Sequence, residues 1–221
     1  MKNGFTLAEI LITIGIIGVV SAMTIPILMD KVREKVLVHK LQDAYAIFSQ
    51  AYKLAIAENG SADGWDITRA QKVYDIMKPH LKIAKSCGTG SGCYAQHYKA
   101  LFNDNFYVDP NTHSAYVKGM LLNGISFDYW VNGENGCPND FCFAIHVDVN
   151  GTDKPNQAGV DYFSFAAGVD GLRPSDGINF TSEYNETCKY KDTRKGNGVL
   201  CTKWVLEKKN MDYLRKDVSW D

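Results

Sequence analysis

Residues 10–29, ILITIGIIGVVSAMTIPILM, carry no charged side chain, and from Asp30 onward apolar and polar positions alternate at helical spacing. The first segment matches the roughly 20 apolar residues that an α-helix needs to cross a bilayer. In the second, Val32, Val36, Leu41, Tyr45, Phe48, Tyr52, Ala55 and Ile56 recur mostly every three or four residues. Lys31, Glu34, Lys40, Gln42, Asp43, Gln50 and Lys53 fall between them, which predicts one buried helical stripe and assigns Tyr45, Phe48 and Tyr52 to core packing. Asn59-Gly60 is a stop signal. A helix from Phe5 to Glu58 would be about 80 Å long at its usual rise, with only its first half facing lipid.

Beyond residue 60 the pattern changes again. A short helix is expected within 67–81, with Thr68 as a cap and Pro79 near its end. Strands are expected at 125–131, 141–149, 162–167 and 199–208. In the second of these, Phe141, Phe143, Ile145, Val147 and Val149 alternate with Cys142, Ala144, His146 and Asp148. A long N-terminal helix followed by antiparallel strands is an α+β pattern, the amphipathic half of the helix covering a small sheet.

Composition narrows the function. Net charge is −1 with lysine and arginine scattered along 221 residues, so no nucleic-acid stripe is evident. Neither G-x-S-x-G, H-E-x-x-H nor a nucleotide fingerprint occurs, and CGTGSGC at 87–93 lacks the ending of a phosphate loop, so no enzyme is expected. The six cysteines all lie beyond the apolar run, which fits an oxidising compartment. Their order suggests Cys87 with Cys93, Cys137 with Cys142 and Cys188 with Cys201, although other connectivities are open. Zinc on Cys87, Cys93 and His97 lacks a fourth ligand, and His97, His113 and His146 share no ligand spacing. No cofactor is required, but calcium is chemically possible in 148–161, where Asp148, Asn150, Asp153 and Asp161 offer hard oxygens. An Asx-rich connection without metal explains the same residues.

Glu9 is unusual, because a carboxylate at the edge of hydrocarbon needs a partner or a function. A helix that truly began at Phe5 would place a free α-amine about one turn from Glu9, able to pair with that carboxylate in the same or a neighbouring subunit. The segment GFTLAEILITIGIIGVVSAMTIP resembles the cleavage and methylation signature of type IV pilins and type II secretion pseudopilins. The resemblance implies a leader at 1–4, an assembly and transmembrane half-helix at 5–29, an amphipathic half at 30–59 and a disulfide-stabilised head at 60–221. It further implies cleavage between Gly4 and Phe5 by a prepilin peptidase, N-methylation of Phe5 by the associated methyltransferase, and recruitment of subunits by Glu9. Pro26 matches the proline that bends or melts the family's first helix, and Glu9 argues against the tip subunit that lacks this acid. Partners would be further copies, other pilin-like subunits and an inner-membrane assembly platform. The protein would sit in the cytoplasmic membrane by one span, head outside, before entering a surface pilus or a periplasmic pseudopilus. The last region, with DVNG, PNQAGVDYFSF and GVLCTKWVLEKKNMDYL, also resembles pilin-like heads. The alternative is an extracytoplasmic binding module on an uncleaved signal anchor.

Overall fold

A computed structural model describes residues 6–175 and 188–219. Two compact units emerge, residues 1–36 and 37–221. Helix α1 is assigned over Leu7–Asn59 and contains Pro26. Its residues within the first unit are largely exposed, with Leu7 at 78% and Met23 at 68%.

Within the second unit α1 buries Leu41, Ala44, Phe48, Ala51, Tyr52 and Ala55, while Tyr45 is partly covered. Leu37 and Val38 are buried, whereas Val32 and Val36, which the spacing assigns to the stripe, are each 48% exposed. The helix ends as its sequence predicts. Gly60 takes φ +78°, its N–H donates to the Ile56 carbonyl, and the Trp65 indole donates to the Gly60 carbonyl.

Helix α2 (Ala70–Met77) follows, with Arg69 at its N-cap position. Thr68 does not cap it, because its hydroxyl donates to Asp66 instead. The sheet comprises β1 (Ile83–Gly88), β2 (Val117–Leu121), β3 (Ser126–Trp130), β4 (Phe143–Asp148), β5 (Tyr162–Gly168) and β6 (Gly171–Pro174). These strands neighbour one another in chain order, and every pair is antiparallel. The inner face meets α1 and α2. Phe48 meets Phe127 edge-on at 5.4 Å, Tyr52 meets Phe143 at 5.5 Å, and Tyr74 stacks on Phe127. The Tyr45 and Tyr52 hydroxyls donate to the Leu172 and Gly168 carbonyls, satisfying their polar ends inside the core. Gly119 on β2 lies against the Phe127 ring, where a Cβ would come within 2.6 Å of Cζ.

Two further expectations are corrected. Residues 199–208 form a short 3-10 turn and helix α3 (Thr202–Lys208), not a strand. Val199, Leu200 and Thr202 are buried as well, but Cys201, Trp204 and Val205 are the positions that join the main core, at helical spacing, and Lys209 closes the helix with φ +55°. In the 141–149 segment the alternation holds from Phe143, but Cys142 lies in the main core and Phe141 packs on the outer side with Ala144 and Ala166. A tight turn at Pro138–Asp140, with Asn139 and Asp140 at positive φ, resets the phase before β4 begins.

The outer face is also covered. Tyr94, Tyr98, Tyr162, Val199 and Leu200 form a second cluster there, over a polar set comprising Lys118, Asp128, His146 and Asp148. This explains why β4 and β5 are buried at every position.

Candidate functional site

The helix start carries the chemistry singled out by the sequence. Glu9 Oε2 accepts hydrogen bonds from the Thr6 N–H and the Thr6 hydroxyl, each at 2.8 Å, and the Glu9 N–H donates back to Thr6 Oγ1 at 3.3 Å. This is a capping box, with the hydroxyl at N-cap and the acid three residues later each satisfying the other's backbone donor. The signal is legible in T-L-A-E at 6–9, although the spacing of Glu9 from Phe5 drew attention first. A carboxylate beside an apolar segment is thereby held at the positive end of the helix dipole. Gly4 and Phe5 lie outside the described residues.

Beyond Glu9 the helix is chemically fitted to an apolar medium. Thr13 donates its hydroxyl to the Glu9 and Ile10 carbonyls and Thr24 donates to the Val20 carbonyl, so these polar side chains need no water. The helix is long and apolar enough to cross a membrane, with a mean hydropathy of 2.4 over its most apolar window and none of that window buried within the chain. A Cβ added at Gly15 or Gly18 would meet nothing within 4 Å, so neither glycine serves a close approach within this chain.

The head is closed by three disulfides, Cys87–Cys93, Cys137–Cys142 and Cys188–Cys201, matching the pairing expected from their order. Cys87 and Cys93 are therefore bonded to each other and not available as thiolates for zinc beside His97. His97 contacts the Asp104 carbonyl at 2.9 Å at the surface, and His113 packs against Tyr116. His146 is buried, with Nδ1 2.8 Å from Asp128 Oδ1, and Tyr94 donates its hydroxyl to Asp128 Oδ2. Lys118 is wholly buried, and its ammonium donates to the Thr89, Gly90 and His113 carbonyls, pinning the Cys87–Cys93 loop and the 109–116 segment to the sheet. Sequence reasoning missed this lysine, because nothing local marks a lone Lys as internal.

In the 148–161 connection the structure brings Asp148, Asn150 and Asp161 together and leaves the Asp153 side chain exposed, using only its carbonyl. Asp148 accepts from the Asn150 N–H and, at 2.5 Å, from the Tyr98 hydroxyl. Asp161 accepts from the Gln157 and Asn156 N–H groups at 2.6 and 2.8 Å. The amide oxygens of Asn150 and Asn156 are buried and meet no donor among the described residues. Burial pushes both carboxyls up, Asp161 to about 6, with the charge of Asp161 adding to the effect on Asp148. Among the described residues no group of three or more His, Cys, Asp or Glu side chains is placed to hold a metal. The geometry is that of an acceptor-rich turn organised by backbone donors.

Residues 1–25 match the family model described as the prokaryotic N-terminal methylation motif. No curated protein and no solved structure matches the chain. The capped acid lies inside that motif and the membrane-length apolar helix runs through it, so the N-terminal segment of the chain carries the type IV pilin and pseudopilin signature.

Proposed function

We propose that the protein is a structural subunit of a helical fibre, a type IV pilus or a type II secretion pseudopilus. The observation that carries this reading is a single ionisable side chain, Glu9, at the mouth of the uncharged segment 10–29, whose described large apolar side chains are exposed. Such a helix needs a partner surface, either lipid or other copies of itself.

In this mechanism a prepilin peptidase cuts between Gly4 and Phe5, and the Phe5 amine is methylated. The subunit waits in the cytoplasmic membrane with its head outside, then moves from lipid into a bundle of identical helices. Because apolar contact exists on both sides of that transfer, the helix-to-helix preference must come from packing and polar pairing. The Phe5 amine of one subunit meets the Glu9 carboxylate of the next, and in low dielectric a register that leaves either charge unpaired is costly. The capping box keeps Glu9 satisfied before that exchange. The disulfide-closed head remains outside as the exposed part of the fibre.

Native cells are sheared, and the intact mass and N-terminus of the protein are determined in the released and membrane fractions. N-methylated Phe5 in abundant released filaments supports a surface pilin, and the same terminus confined to the envelope supports a pseudopilin or minor subunit. Intact Met1 in both fractions would replace the fibre reading with the uncleaved signal anchor.

A further inference from the structure

The second unit, residues 37–221, covers nearly all of its large apolar side chains. Among its described residues only Leu54, at 45%, and Leu122, at 70%, are large hydrophobics left exposed, and both line one cavity of about 480 Å³. That volume lies within the range of small-molecule sites, about 300–1,000 Å³. Exposed leucines scattered singly would need no explanation, but a shared cavity makes them one apolar surface.

The walls come from three parts of the fold. Ile47, Gln50 and Leu54 line it from α1 at three- and four-residue spacing, beside the face that buries Phe48, Ala51 and Ala55. Leu121, buried at the end of β2, is followed by Leu122 and Asn123 in the turn into β3. His80 and Lys82 enter from the segment between α2 and β1. The turn is held from several directions. Its Leu122 N–H donates to the Lys82 carbonyl at 2.9 Å, the Gly124 N–H donates to the Leu121 carbonyl at 3.0 Å, and Asn123 Oδ1 accepts from the Ile125 N–H at 3.3 Å. Gly151 packs so closely behind it that a Cβ there would come within 2.5 Å of the Gly124 carbonyl oxygen. Leu122 is thus presented by a pinned backbone, and the cavity needs little reordering to accept a ligand.

The lining defines the ligand's chemistry. Its apolar part is aliphatic throughout, with no Phe, Tyr or Trp ring on which a nucleobase could stack. No carboxylate lines it. His80 Nε2 lies 3.5 Å from Glu58 Oε2, outside the cavity, which leaves exposed Lys82 as the charge a ligand meets. One lysine with no arginine beside it supplies a single point charge, which matches a monocarboxylate and leaves a phosphate dianion half neutralised. We propose that this cavity binds the anion of a medium-chain aliphatic carboxylic acid, its carboxylate at Lys82 and its chain covering Leu54, Leu121 and Leu122. The site belongs to the head alone and does not depend on the fibre reading.

The test uses the full chain, methyl-labelled at leucine and held in lipid nanodiscs, with octanoate as the probe. Octanoate is expected to shift the Leu54, Leu121 and Leu122 methyl signals saturably while those of Leu101, Leu172 and Leu200 stay in place. Lys82→Glu is expected to weaken octanoate about tenfold, with octan-1-ol binding unchanged and the unliganded spectrum retained. Leu122→Asn is expected to weaken both probes. Shifts confined to Leu7 and Leu11 would show only partition into the bilayer and would overturn the proposal. So would octylamine binding as tightly as octanoate, or an octanoate affinity that Lys82→Glu leaves unchanged. If discs holding a pair of subunits broaden the Leu122 methyls and exclude octanoate where single-subunit discs do neither, the surface belongs to a second copy and the proposal falls.

Discussion

Asp161→Asn tests the electrostatics of the head directly. Asp161 is wholly buried, and its carboxyl is raised from an ordinary value near 3.8 to about 6. A folded-state value above the unfolded one means that the fold holds the proton more tightly than the open chain does. The resulting stability is fully present below about pH 4 and is lost as pH rises to about 6. Two pH units at about 1.4 kcal/mol each give about 3 kcal/mol. The asparagine variant cannot titrate, but its single amide oxygen replaces a carboxylate that accepts from both Gln157 and Asn156, so one buried N–H loses its acceptor at a cost of about 1–3 kcal/mol. The variant should therefore be clearly less stable than the parent at pH 4 and close to it at pH 7. Removing the Asp161 charge also relieves Asp148, whose carboxyl is raised in the same direction, and this adds to the effect. Urea unfolding of the oxidised head, residues 37–221, from pH 4 to pH 7 in EDTA measures the difference between the two proteins. Contributions from His113 and other distant groups cancel in that difference. A difference that stays constant across this range, or widens with pH, would refute the assignment.

Four further outcomes follow from the same contacts. Glu9→Ala should insert into the membrane normally yet leave sheared filaments at background, and wild-type filament content would count against the amine pairing. Replacing Gly4 with leucine should leave an unprocessed precursor visible as a mass that retains Met1–Gly4 or its deformylated form; normal cleavage would contradict the peptidase site. Phe48→Ala removes a ring packed on Phe127 and Phe165 and should destabilise the head by about 4 kcal/mol in denaturant unfolding. Lys118→Met strips three carbonyls of their shared donor while sparing the cost of a buried cation, and should destabilise by about 2–4 kcal/mol, with amides in 89–113 showing the largest rise in hydrogen exchange.

Local signals carried the parts of this protein that depend on a few neighbouring residues. The uncharged run at 10–29, the acid before it, the helix stop at Asn59-Gly60 and the short cysteine spacings each express a rule whose reach is one helical turn or one loop. The structure agrees with the helix stop and with all three pairings. The strands at 125–131 and 162–167 were legible for the same reason, as compact runs of aromatic and β-branched residues. Residues 199–208 misled because a short apolar stretch fits both a strand and a helix, and the burial of Cys201, Trp204 and Val205 decides the matter only once β5 and β6 lie beside them. Strands β1, β2 and β6 were not expected, because each gains its order from a neighbour in the sheet and not from its own pattern.

Of the candidate site, the sequence supplied Glu9 and the motif around it, while the tertiary fold decided what the head does with its polar residues. His146, Lys118, Asp128 and Asp148 occupy alternating strand positions that ordinarily face water, yet the 89–116 segment folds over them and converts an exposed face into a second, polar core. No periodicity announces such a cover, since it depends on which distant segment returns across the sheet. The sequence thus determines the membrane-length apolar run and the methylation motif at 1–25, by composition and short spacing alone. Whether a lysine is a surface charge or a buried clamp is settled by long-range packing, through the number of carbonyls that converge on it.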